Sequence, residues 1–130
     1  MKLISWNIRG LNGSHKQEII RNLIRDQRPN ILLIQETKMK KEILGKIKFS
    51  NTMSEEALDS EGASGGLLTL YNTKKFKIHT MHNDDNIFFR KVIHIFSNES
   101  WFLLNIYAPN KKRERNNSGL KLGRWCRLVI

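Results

Sequence analysis

The sequence predicts a layered α/β fold, and three features of its patterning carry that expectation. An amphipathic helix lies between two short apolar strands, further strands follow without helices between them, and the last two of these are apolar on both faces. The first pattern is that of a βαβ unit. The second is an antiparallel run. The third implies a sheet covered on both sides, as in a stacked-layer domain.

Leu3–Asn7 reads as a strand, stopped by the turn-rich Arg9-Gly10-Leu11-Asn12-Gly13. Ser14 then fits a helix N-cap, with Gln17 as its capping-box partner. Ile19, Ile20, Leu23 and Ile24 recur at helical spacing, and Pro29 ends the helix because the residue before a proline avoids the α region. Ile31-Leu32-Leu33-Ile34 is a continuous apolar run, suited to a parallel strand buried on both faces. Residues 38–48 read as a basic, weakly amphipathic helix or loop, and residues 54–61, with Glu55, Glu56, Asp59 and Glu61, as an acidic surface loop. Antiparallel strands are expected near 66–71, 76–81, 87–96 and 101–107, with Asn98-Glu99 as a hairpin turn.

Composition narrows the partners. The chain has 130 residues, the size of one domain, with 23 Lys+Arg against 12 Asp+Glu and a formal charge of +11. A hydrophobic content of 39% excludes collagen-like and wholly disordered classes. The single Cys126 excludes an internal disulfide and a multi-cysteine zinc site. No apolar run approaches the ~18 residues of a membrane helix, and the N-terminus lacks the apolar stretch of a secretory signal. The charge favours a polyanionic partner. Nucleic acid comes first, because neutralised phosphates release counterions; an anionic membrane surface comes second.

A parallel strand pair sets both carboxyl ends on one edge, where ligands of such sheets bind. Asn7 and Gln35-Glu36-Thr37 therefore share a crevice. Glu36 is a suitable Mg²⁺ ligand, since that ion takes one or two carboxylates and keeps waters and substrate phosphate for the rest. A lone Glu at a strand end is more often a plain surface residue. Asn7 suits a phosphate or a metal-bound water, or else caps the strand exit as a turn residue. Ser64-Gly65-Gly66 allows a close backbone approach or a simple bend. Tyr107-Ala108-Pro109-Asn110 sets a phenol and an amide at a strand end. Lys111-Lys112-Arg113-Glu114-Arg115 suits phosphate contacts or a solvated loop. His15, His79, His82 and His94 show no metal spacing, and Cys126 has no activating partner.

Taken in order, Ser5-Trp6-Asn7-Ile8-Arg9-Gly10-Leu11, Ile34-Gln35-Glu36-Thr37-Lys38, Ser64-Gly65-Gly66 and Asn105-Ile106-Tyr107-Ala108-Pro109-Asn110 resemble the N-terminal half of the endonuclease/exonuclease/phosphatase superfamily. The wording around Trp6-Asn7-Ile8-Arg9 is closest to the endonuclease domain of LINE-type retrotransposons. Apurinic/apyrimidinic endonucleases usually carry an acidic residue where this chain has Arg9. The resemblance implies a partial four-layered α/β sandwich with two central sheets, over residues 1–112, followed by a basic tail, 113–130, without family pattern. It implies Mg²⁺ or Mn²⁺ on Glu36, with Asn7 orienting the metal site and scissile phosphate, and Tyr107 and Asn110 contacting the phosphate. The implied reaction is hydrolysis of a DNA phosphodiester by an activated water. The family's Gly-Asp-x-Asn and Ser-Asp-His motifs have no counterpart after Asn110, where Glu114 is the only acidic residue. The expectation is thus a truncated endonuclease-like domain, a retroelement remnant, with little or no activity alone. A non-catalytic nucleic-acid-binding fragment and a relative acting on phospholipid or inositol phosphate headgroups are the alternatives. The resemblance and the basic run together imply an intracellular, nuclear protein.

Overall fold

The computed structural model describes residues 1–62, 64–84 and 86–107; Asn110, the 111–115 basic run and the 113–130 tail lie outside them. The βαβ unit is β1 (Leu3–Asn7), α1 (Ser14–Gln27) and β2 (Ile31–Gln35), with β1 and β2 parallel from Leu3↔Ile31 to Asn7↔Gln35. A single helical turn, α2 (Lys41–Leu44), precedes the antiparallel pair β3 (Met53–Glu61) and β4 (Ser64–Asn72). These strands form one sheet in the order β1-β2-β4-β3. A second sheet is the meander β5 (Phe76–Asp84), β6 (Ile87–His94) and β7 (Ser100–Ile106).

Strand β2 shows why the layers stack. Every one of its residues is buried. Leu32 and Ile34 face α1 and pack with Ile20, Leu68 and Leu70. Ile31 and Leu33 face the second sheet and pack with Phe76, Val92 and Leu103. A period of two thus feeds two cores from one strand, each aliphatic contributing about 2 kcal/mol relative to exposure. The described residues make three layers: α1 with the 39–49 segment, the first sheet, and the second sheet.

Polar groups fix how the sheets sit on each other. The Arg90 guanidinium is 4% exposed; it reaches across to Glu56 at 2.7 Å, donates to the His82 and Phe89 carbonyls, and lies 3.5 Å over the Phe88 ring. Asn105 on β7 accepts a hydrogen bond from Gln35 on β2 at 2.8 Å, and donates to Thr69 Oγ1 and the Leu68 carbonyl at 3.2 Å on β4.

The structure departs from the sequence expectations at four places. Residues 54–61 are not a loop but the edge strand β3, paired with β4 from Met53↔Asn72 to Glu61↔Ser64. Charged side chains on an edge strand discourage pairing with another chain, so its acidity suits that position. Ser14 is the first helical residue rather than the cap; extended Gly13 is the cap, and Gln17 donates to the Leu11 carbonyl instead. The β6–β7 connection is longer than two residues, spanning 95–99, with Asn98 in the left-handed region at φ 61°. The second sheet buries Phe88, Arg90 and Val92 on its inner face, whereas Phe102 on the outer face is 45% exposed, so among the described residues nothing covers that side.

Glu55 gives one pH prediction. Its Oε2 is buried with no partner among the described residues, and burial pushes its carboxyl above the ordinary range. A carboxyl raised in the folded state binds its proton more readily there than when unfolded, so stability is lost as pH rises through that raised value. Glu55→Gln is expected to raise Tm at pH 7, a gain that shrinks toward zero in acid below the ordinary carboxylate range, as thermal scans across pH will show.

Candidate active site

The topology brings seven strand ends to one edge: the ends of β1, β2, β3, β5 and β7 and the starts of β4 and β6. The backbone there is tightly bonded. The Ile8, Gly10 and Leu11 amides donate to the Gln35, Glu36 and Thr37 carbonyls at 3.1, 2.7 and 2.9 Å, and the Thr37 and Lys38 amides donate to Gly66 and Gly65 at 3.1 and 2.8 Å. Lys16 Nζ closes the adjoining loop by donating to the Ile8 and Arg9 carbonyls.

This bonding holds strained backbone. Arg9, Glu36 and Lys38 adopt φ of 54°, 59° and 55°, a region L side chains avoid at about 1 kcal/mol or more each. Such residues persist where surrounding structure over-determines them, and they concentrate at functional sites. Gly66, at φ 90°, has no room for a side chain, since a Cβ there would collide with Thr37 Oγ1. Gly65, at φ 72°, lets the Tyr107 ring lie 3.4 Å from where its Cβ would be.

Glu36 is the carboxylate that directly follows β2 at this edge. Its side chain is 11% exposed, with the Lys38 ammonium 3.7 Å away. The left-handed backbone at Glu36 ends the extended alternation of β2. Asn7 pairs with Gln35 in the ladder, is exposed, and accepts the Arg9 amide through Oδ1 at 3.1 Å. That bond is the turn-capping role anticipated for it, and it leaves a second lone pair and the amide N–H groups facing out. Tyr107 is buried beside Leu67 and Phe88, its amide donating to the Asn86 carbonyl. Of the four residues expected to act together, Asn7, Glu36 and Tyr107 thus meet at this edge; Asn110 lies outside the described residues.

Sequence reasoning missed Gln35 and Asn105 as a pair. The signal was present, since each is a polar residue in a strand that is otherwise apolar on its inner face. Lys38 and Asn86 had no such signal. Among the described residues no three His, Cys, Asp or Glu side chains gather as a metal cluster.

Comparison with known proteins places this geometry. The model of the Endonuclease/Exonuclease/phosphatase family matches residues 4–127. No curated protein matches. The AP endonuclease LMAP of Leishmania major superposes with TM-score 0.68 at 16% identity, over 83% of this chain and 40% of that one. The 3'-5' exonuclease NExo of Neisseria meningitidis gives 0.56 at 16% identity, over 90% and 48%. Truncated TDP2 of Caenorhabditis elegans gives 0.57 at 18% identity, over 87% and 48%. At these identities the likeness is one of fold, and the chain spans less than half the length of each of these structures. The three layers, the crowded edge around Glu36 and the match along almost the whole sequence make this chain a member of the endonuclease/exonuclease/phosphatase family.

Proposed function

We propose that the chain is part of a divalent-metal-dependent phosphodiesterase acting on DNA, with Glu36 as the metal-holding carboxylate. The observation that carries this is a nearly buried carboxylate on a strained turn, with an ammonium at 3.7 Å, longer than a close ion pair. A Mg²⁺ or Mn²⁺ ion fits that donor: one carboxylate, the remaining positions for water and phosphate. Such an ion supplies charge stabilisation on the phosphate and activates water. Asn7 would orient the phosphate through its amide group, and Tyr107 and Asn110 would contact the phosphate. The relatives named above are an AP endonuclease and an exonuclease, and a further one is a Neisseria 3' phosphatase bound to product DNA hairpin. These likenesses, with the +11 charge, support a nucleic acid substrate.

The finer reading is a retrotransposon-type endonuclease domain, with little activity from these residues alone and a place in the nucleus. The Trp6-Asn7-Ile8-Arg9 wording supports the first part. The second rests on the want of further acidic residues after Asn110 apart from Glu114. General-base catalysis alone is worth about 10²–10⁴ in rate. Incubating supercoiled plasmid with the protein and Mg²⁺ tests the reading. A trace of nicking at most is expected, with salt-sensitive plasmid binding, and Glu36→Ala removes whatever nicking there is. Fast nicking contradicts the low-activity reading, and nicking that survives Glu36→Ala contradicts the site.

A further inference from the structure

The opposite pole of the sandwich, where β1 and β2 begin and β4 ends, holds a second feature that the Glu36 edge does not use. A cleft of about 560 Å³ lies between the end of α1, the 49–53 segment and the β4–β5 turn. Arg21, Arg25, Arg28, Lys74 and Lys75 line it, and among the described residues no carboxylate does. Arg21 pairs with Glu18 at 3.4 Å and Arg25 with Asp26 at 3.0 Å, whereas Arg28, Lys74 and Lys75 form no ion pair among the described residues. The dipole of α1 accounts for cations in its last turn, but not for the two lysines, which come from a different element.

A second hollow, of about 430 Å³, continues from this cleft and shares Asn30 and Lys75 with it. Its wall is aromatic. His94 stands 5.4 Å from Phe76, 5.9 Å from Phe96 and 6.5 Å from Trp101, ring centre to ring centre. Phe96 is 80% exposed, although a turn at this position has no structural need of an aromatic ring. Among the described residues Glu99 is the one carboxylate lining this hollow.

A basic cleft that leads onto exposed aromatic rings is the arrangement that holds single-stranded nucleic acid: cations track the backbone and bases stack on the rings. A duplex keeps its bases stacked inside and offers the rings nothing. We infer that this pole binds a single strand of nucleic acid, with Lys74, Lys75 and Arg28 on successive phosphates and Phe96 under an unpaired base. The site is separate from the Glu36 edge and does not depend on the reading of that edge.

Fluorescence anisotropy with a labelled oligothymidylate and a blunt duplex of equal length tests this. Phe96→Ala is expected to weaken single-strand binding about fivefold or more, while duplex binding stays unchanged. Lys74→Gln with Lys75→Gln lowers the slope of log affinity against log salt by about 1.4, at about 0.7 per phosphate contact. A charge-matched Lys41→Gln/Lys91→Gln control leaves the slope in place. The substituted pole residues are exposed, so retained Tm shows that the fold is intact. Single-strand binding by Phe96→Ala equal to wild type overturns the proposal. So does a control that lowers the slope as much as the pole pair, since the charge would then act as a diffuse field.

Discussion

Asn105→Leu is expected to lower the unfolding free energy by about 3 kcal/mol, read as a shift of the urea midpoint. The two side chains are of similar size, so little of this arises from a cavity. The loss arises from what Asn105 leaves behind: the Gln35 amide at 2.8 Å and Thr69 Oγ1 at 3.2 Å lose a partner in the space between the sheets. A buried polar group without its partner costs about 1–3 kcal/mol. Gln35 retains a bond to Ser5 Oγ at 3.0 Å, which limits its share. Replacing Gln35 by Leu as well removes one of the stranded groups, so the double variant is less destabilised than the two single losses added together. The consequence extends to the site, because Glu36 directly follows Gln35 and Tyr107 lies two residues beyond Asn105. A loss under about 1 kcal/mol, or strict additivity, contradicts the view that this pair sets one sheet on the other.

Gly66→Ala is the second large effect, expected at about 3 kcal/mol. Two causes add. The backbone at φ 90° disfavours any side chain, and the new methyl meets Thr37 Oγ1. Thr37 cannot withdraw freely, being fully buried and bonded through its amide to the Gly66 carbonyl at 3.1 Å. Gly62→Ala is the control, since Gly62 at φ 58° has open space around it, and about 1 kcal/mol is expected there. Equal losses at the two glycines contradict the claim that Gly66 is clamped against the Glu36 turn.

The first half of the fold was legible because its patterns are strong. Helical spacing from Ile19 to Ile24 and the apolar run from Ile31 to Ile34 each admit one good reading. Strand β3 was not legible. Its Met53, Glu55 and Ala57 point toward the α1 side and Glu56 toward the second sheet, so carboxylates occupy both faces and no apolar alternation survives. Its strand character comes from pairing with β4, a contact that no local pattern encodes. The edge shared by Asn7 and Glu36 was legible, because a parallel strand pair sets both carboxyl ends together. What the sequence did not show was the left-handed turn at Glu36, held by long-range backbone bonds from Gly10 and to Gly65 and Gly66. Nor did it show the Asn105 and Gln35 contact, which spans 70 positions in the chain.

The claim that this crowded edge exists to present one carboxylate to a divalent cation is tested most directly by Mn²⁺ titration, following the free ion by its paramagnetic resonance. The wild-type protein is expected to take up Mn²⁺ at a site that Mg²⁺ competes for. Glu36→Gln, close in shape but uncharged, is expected to weaken that uptake about tenfold or more, since even residues that merely support a metal ligand cost that much when lost. Mn²⁺ uptake by Glu36→Gln equal to that of wild type would contradict the assignment.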